Sequence, residues 1–371
     1  MHYMNKVAWP ARFELLDGVR GVAALLVVLN HLQVVSGEVG HFAVMVFFVV
    51  SGYCIAASAE SSRTRGLGFR GFMLRRIRRI YPPYLLAIAF FAATREVRMA
   101  LGGEPFRRPI LDWLQNLTLT QWMSTLIHPV ASPMQNPKLF VVAFWSLNYE
   151  EQFYLVMAIA MTIAVGRNAK ILPLTLILGL VGLAWNWVVP GGWSCGLFIE
   201  YWVPFALGSC LFYVLTQFSD TRPRVMFLAG SILIFTTAMG RLVYGGGDAF
   251  EALRAMTELA AAAAVALALF LIRPYSAAIC RRPVWQPVSA LGTISYSLYL
   301  IHQFNLTLVS TMARHLMPAA VPHAMLILTE LTLFVALATL FWWFCERPFL
   351  SPKPTPGSHP GNCVGPDLGV A

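Results

Sequence analysis

The chain has 371 residues, 58% of them hydrophobic and only 12% charged, and 27 Lys and Arg outweigh 17 Asp and Glu to give a formal net charge of +10. A soluble domain carries about 25% charged residues, so a soluble protein with a single anchor is excluded. Apolar runs that are long and continuous, not alternating in segments of about ten, exclude a transmembrane barrel. A basic excess in a helical membrane protein collects on its cytoplasmic side, so the charge points to topology and to lipid contact, not to nucleic acid.

The expected fold class is all-α, a polytopic membrane helical bundle of about ten transmembrane helices. Apolar windows of about twenty residues predict spans at 19–35, 41–59, 80–94, 143–165, 171–189, 198–217, 225–243, 255–272, 288–312 and 323–345. With the N-terminus inside, 19 of the 27 Lys and Arg fall in inside segments and 8 in outside ones, as the positive-inside rule demands. Both termini are then cytoplasmic. The polar N-terminal segment does not fit a signal peptide, so the first apolar run is expected to be retained. Residues 1–350 form one membrane domain. Residues 351–371, rich in Pro and Gly, are expected to be a disordered cytoplasmic tail. The third span is expected to begin at Tyr81-Pro82-Pro83, where proline is tolerated in a first turn. Between the third and fourth spans, 95–142 is an outside loop whose run LDWLQNLTLTQWMSTLI is amphipathic enough to lie on the membrane or fold back onto the bundle. The six cysteines form no CxxC pair and no metal-ligand spacing, so neither a metal nor a disulfide framework is expected.

The first helix, Glu14 to Val35, carries Arg20 near its start and His31 well inside it. A charged side chain such as Arg costs roughly 2.5–3.5 kcal/mol at the centre of an apolar span, so ionisable groups there need a reason. Eleven residues at 100° each return to within about 20° of the same face, so Arg20 and His31 share one stripe about 16 Å long. Asp17 lies about 40° off that stripe. Taken alone, His31 is either a site or an interior imidazole hydrogen-bonded to a neighbouring helix. Ser51 and Gly52 sit inside the second span as a close helix contact or a local break. In FMLRRIRRIYPPY, four arginines in five positions are either positive-inside flanking or a phosphate clamp. Glu150 and Glu151, adjacent near the outer end of the fourth span, point about 100° apart, so one of them is expected to face a given cavity. That glutamate either sits in the interface or pairs with an interior imidazole or cation. His302, preceded by Ser295, Tyr296, Ser297 and Tyr299, is either structural or part of a site.

Six stretches, LDGVRGVAALLVVLNH, VFFVVSGYCI, FMLRRIRRIYPPY, FWSLNYEEQFYLV, SYSLYLIH and CERP, resemble the acyltransferase family 3 membrane proteins in kind and in order across residues 13–349. The resemblance implies an O-acyltransferase that takes an acyl group, usually acetyl, from cytoplasmic acyl-CoA (acetyl-CoA) to a carbohydrate hydroxyl. Acceptors of that class include exopolysaccharide, lipopolysaccharide, peptidoglycan and lipid-linked glycans. It implies location in a bacterial inner membrane. Residue by residue, the family's Arg-x10-His pattern falls on Arg20 and His31, its Arg-x-x-Arg pair on Arg76 and Arg79, and its glutamate on Glu150. Asn148-Tyr149 departs from the common Ser-Val. The implied roles are catalytic for His31 and Glu150 and donor-binding for Arg20, Arg76 and Arg79, with Asp17, Ser51, Glu151, Tyr296 and His302 in support. His31 is then either a general base or the carrier of a covalent acyl group, with Glu150 orienting it. The rival class is a secondary transporter or flippase of a polar or glycolipid substrate, which would show broken spans at matching positions of two halves; no such pairing is evident.

Overall fold

The computed structural model describes residues 13–166, 171–189, 194–218, 220–244, 250–318 and 321–350. Its helices are α1 Leu15–His31, α2 Gly37–Thr64, α3 Phe69–Ala100, α4 Ile110–Leu117, α5 Trp122–Ile127, α6 Trp145–Gly166, α7 Ile171–Val188, α8 Trp202–Thr216, α9 Thr221–Tyr244, α10 Phe250–Ile272, α11 Ser276–Cys280, α12 Trp285–Ile301, α13 Leu306–Leu316 and α14 His323–Phe341. The fold is a helical bundle; among the described residues the one extended pairing is an isolated bridge between Val130 and Ser194. Helices stand at all ten expected positions, and six of them are long and apolar enough to cross a membrane by length and composition. The others fall short for visible reasons. α1 and α12 are 17 residues each, α3 starts with the arginines, and α6 opens on the polar run from Asn148 to Gln152.

The direction of packed pairs follows the alternation expected of successive spans. On α1 and α12, Gly18 faces Trp285, Gly21 faces Leu291 and Gly292, and His31 meets His302, so the two run parallel. On α2 and α8, Phe48 meets Phe205 and Tyr53 meets Phe212, again parallel. α1 and α2 are antiparallel, with Phe13 on Tyr53 and Asn30 on Gly40. α3 and α6 are antiparallel as well, with Arg76 on Tyr154 and Tyr84 on Phe144. In lipid, helices associate by close packing rather than by a hydrophobic force, and small residues admit the closest approach. A Cβ on Gly292 would lie 1.8 Å from the Asp17 carbonyl oxygen, and one on Gly208 1.9 Å from that of Val49.

Three expectations are corrected. α1 ends at His31, four residues short of the expected Val35, because Gln33 takes the left-handed conformation (φ 60°). Val34 N–H then bonds Leu29 O and Gln33 N–H bonds Asn30 O, both at 2.9 Å, which is a Schellman stop. His31 is therefore the last residue of the helix, half-buried, and not deep within a span. The helix at the third expected span begins at Phe69, not Tyr81: the arginines lie on its opening turns and Pro82 and Pro83 in its interior. The ninth span breaks at His302, where a 3-10 turn over Gln303–Asn305 separates α12 from α13.

The loop 95–142 folds back onto the bundle. Tyr84 hydroxyl donates to Asn116 O (2.5 Å) and Tyr81 hydroxyl to Thr118 O (3.0 Å). Buried Asn116 bonds Gln121, Lys138 O and Phe140 N–H, and Lys138 pairs with buried Asp112 at 2.9 Å. These bonds satisfy polar groups that the fold buries. The tail 351–371, expected to be disordered, lies outside the described residues.

Candidate active site

Residues three apart on a helix share a face, so Arg76 and Arg79 on α3 turn inward together. They line one cavity with Arg20 from α1, Ser51 and Cys54 from α2, Glu150 and Tyr154 from α6, and Tyr296 and Tyr299 from α12. The cavity is about 60 Å³, room for a few waters. Arg76 is buried with its guanidinium 5.6 Å from the Phe72 ring and 5.7 Å from the Tyr154 ring. Its Nε has no hydrogen-bond partner among the described residues. Arginine is weakly hydrated and stacks on aromatic faces, which is how a guanidinium is held in such a place. Glu346, from the CERP motif, is buried, accepts from Ser297 Oγ (2.5 Å) and feels Arg79 and Arg20 electrostatically. Three guanidinium groups and one carboxylate, Glu150, line the cavity, a net cationic lining that suits an anion.

Glu150 belongs to this cavity. Its Oε1 accepts from Ser51 Oγ (3.0 Å) and Tyr154 hydroxyl (2.5 Å). The expected contact with His31 is not made. Glu151 faces a second, smaller cleft, where it accepts from Tyr81 hydroxyl; Glu150, Arg76 and Tyr154 line that cleft too, so the expectation that a given cavity takes one of the two glutamates does not hold there.

His31 closes α1 at the end opposite Arg20, beyond Tyr299, which lines the cavity on the last turn of α12. Its Nδ1 lies 2.9 Å from Val27 O. A carbonyl only accepts, so Nδ1 of the neutral ring carries the proton and Nε2 keeps its lone pair. Nε2 is 3.3 Å from Gln303 Nε2. Gln303 Oε1 accepts from Ala143 N–H at 2.7 Å, which assigns the amide and makes its nitrogen the donor toward His31. His302 packs edge-on against His31, ring centroids 4.8 Å apart. It is fully buried with Nδ1 on Tyr299 O (2.7 Å) and Nε2 without a partner among the described residues. Tyr299 lines the arginine cavity on one side and stands 5.8 Å from the His302 ring on the other; its hydroxyl pairs with Ser146 (2.6 Å). Tyr299 thus stands between the cationic cavity and an imidazole whose Nε2 accepts from Gln303.

Of the remaining candidates, Tyr296 lines the cavity and donates to Ile80 O (3.0 Å), while the Asp17 carbonyl forms the α1–α12 contact. Gln303 and Glu346 were not singled out in the sequence, although each stands inside or beside a quoted motif. Among the described residues no cluster of three His, Cys, Asp or Glu side chains is placed to hold a metal ion.

The fold and site are those of a helical membrane protein with a cationic cavity between its helices and, past Tyr299, an imidazole whose Nε2 accepts from Gln303. The chain matches the acyltransferase domain family over residues 13–347 and belongs to it. It is 26% identical over 90% of its length to YrhL of Bacillus subtilis, covering 54% of that protein. It is also 26% identical over 80% of its length to the peptidoglycan O-acetyltransferase OatA of Listeria monocytogenes, covering 49% of that protein. A shorter match, 42% identical over 23% of the chain and 46% of the relative, is to protein 2 in the picA locus of Rhizobium radiobacter. The chain thus spans about half the length of these curated relatives. No solved structure matches it.

Proposed function

We propose that this chain is a membrane O-acyltransferase that carries an acetyl group from cytoplasmic acetyl-CoA to a hydroxyl of a carbohydrate or lipid-linked glycan. The observation that carries it is the placement of Arg20 and His31 on one helix, about 16 Å apart by helical rise, with the cationic cavity at the first and, at the second, an Nε2 that keeps its lone pair and accepts from Gln303. In a bacterial inner membrane with both termini cytoplasmic, the arginine end faces the donor and the His31 end faces the acceptor.

The chemistry follows from these groups. Forked guanidinium donors on Arg76 and Arg79 suit the phosphates of CoA, and the thioester arm extends along the α1–α12 seam. Tyr299 and its neighbours form the wall that the acyl end must pass. At His31, Nε2 takes the proton of the acceptor hydroxyl as its oxygen attacks the thioester carbon. The C-termini of α1 and α12 converge there, and their partial negative charge supports the imidazolium that forms. Glu150, held by Ser51 and Tyr154, works on the arginines and orders the donor cavity. If His31 instead carries the acyl group itself, the same nitrogen is used. Incubating the protein with donor alone and finding acylated His31 by mass spectrometry separates the two routes. The acceptor named for OatA, peptidoglycan, makes N-acetylglucosamine oligomers the first acceptors to test.

Arg76→Ala and Arg79→Ala test the donor half. Each hydrogen bond to a charged group contributes about 1.5–3 kcal/mol, so each variant weakens acetyl-CoA binding about 10- to 100-fold in titration calorimetry, with acceptor binding less affected. Unchanged donor affinity would return these arginines to the role of topology determinants.

A further inference from the structure

We propose that Gln303 is a catalytic residue of this site. Its side-chain N–H donates to the acyl carbonyl oxygen as that oxygen takes on negative charge. The proposal rests on the acyltransferase role of His31.

Acyl transfer builds an oxyanion about 3 Å from the attacking nitrogen or its hydroxyl, and preorganised N–H donors at that point are a large part of such catalysis. The surroundings of His31 are rich in acceptors. Val27 O and Tyr299 O are both engaged, and His302, with its Nδ1 on Tyr299 O, turns only a lone pair on Nε2 to its buried side. The arginines line the cavity on the far side of Tyr299. Of the groups in contact with His31, Gln303 supplies the donor.

Gln303 is also held for that task. Its Oε1 is fixed by Ala143 N–H at 2.7 Å, and the Ala143 carbonyl in turn accepts from Tyr299 hydroxyl, itself paired with Ser146. Residues before α6, on α6 and on α12 together aim the amide. The 3.3 Å separation from His31 Nε2 is long for a hydrogen bond, as suits a contact that gives way when a hydroxyl takes the imidazole lone pair. The freed N–H then turns to the thioester oxygen. The hydroxyl oxygen bonds the carbonyl carbon while its proton passes to His31 Nε2, and the C=O pair moves onto oxygen and is held by Gln303. Collapse restores C=O, breaks the C–S bond and returns the proton from His31 to the CoA thiolate. An acyl-histidine route passes through the same oxyanion and uses the same donor.

The test compares two CoA analogues on the purified full-length protein. Acetonyl-CoA is a planar ketone that mimics the bound donor. Trifluoroacetonyl-CoA becomes tetrahedral by adding water or an imidazole and mimics the oxyanion. Gln303→Glu keeps the size and the Ala143 contact but loses the N–H, and Gln303→Ala removes the group. Both variants are expected to bind acetonyl-CoA within about 3-fold of wild type and to lose about 10²- to 10³-fold in preference for the trifluoro analogue, the range seen when an oxyanion donor is removed. Variants that keep the wild-type preference overturn the role of Gln303 and leave the donor assignment standing. A wild-type protein that binds neither analogue overturns the CoA donor and this role with it.

Discussion

His31→Ala is expected to cut acyl transfer by at least about 10²-fold, while leaving insertion and thermal stability intact. General acid–base catalysis contributes about 10²–10⁴-fold, and loss of a covalent nucleophile costs no less. The fold should tolerate the change. His31 is half-buried at the end of α1, and the Val27 carbonyl that receives its Nδ1 stands four residues before it, where it also takes the helical N–H of residue 31. The measurement pairs CoA release from acetyl-CoA, with an N-acetylglucosamine oligomer as acceptor, with a melting curve of the detergent-solubilised protein. Substantial activity in a stable His31→Ala protein contradicts the assignment.

Gly292→Val is expected to separate the two helices on which the site is built. Its Cβ would lie 1.8 Å from Asp17 O and 2.9 Å from Asp17 Cα. Neither is a side-chain end that can swing away, so α1 and α12 must move apart. Overpacking costs about 1–3 kcal/mol where side chains can yield and more where they cannot; the upper end is expected here, with loss of yield, a lowered melting temperature and loss of activity as His31 leaves Gln303. Gly230→Ala on α9 is the control. Nothing lies within 4 Å of its Cβ, and Ala is favoured over Gly in a helix by up to about 1 kcal/mol, so the variant is expected to be neutral or slightly more stable. Equal stability losses in the two variants would show that the close approach at Gly292 does not matter.

The helical class, the ten helix positions and the Arg20–His31 stripe were legible because apolar runs and helical periodicity are local properties of the chain. The end of α1 was not, because its stop uses Gln33 at φ 60°, where glycine would have been the recognisable signal. The partners of Glu150 were not legible either. Its position near the start of the predicted span 143–165 put it at the outer end, but the packing of α6 against α2 turns it to Ser51, and only tertiary packing sets that register. Gln303 meets His31 across 272 positions; no local pattern carries that contact, although its place next to His302 in a quoted motif was a hint. Glu346 was in view as a letter of CERP, without the Ser297 bond that shows it is buried for a reason.

The most direct test of the whole account uses the purified protein in proteoliposomes. Isotope-labelled acetyl-CoA is supplied on the face that carries the arginine cavity and an N-acetylglucosamine oligomer on the other, and the glycan is analysed by mass spectrometry. A labelled acetyl ester on a glycan hydroxyl is expected, and it is lost in His31→Ala. Glycan that crosses the membrane unmodified while acetyl-CoA stays intact would contradict it and identify a transporter instead.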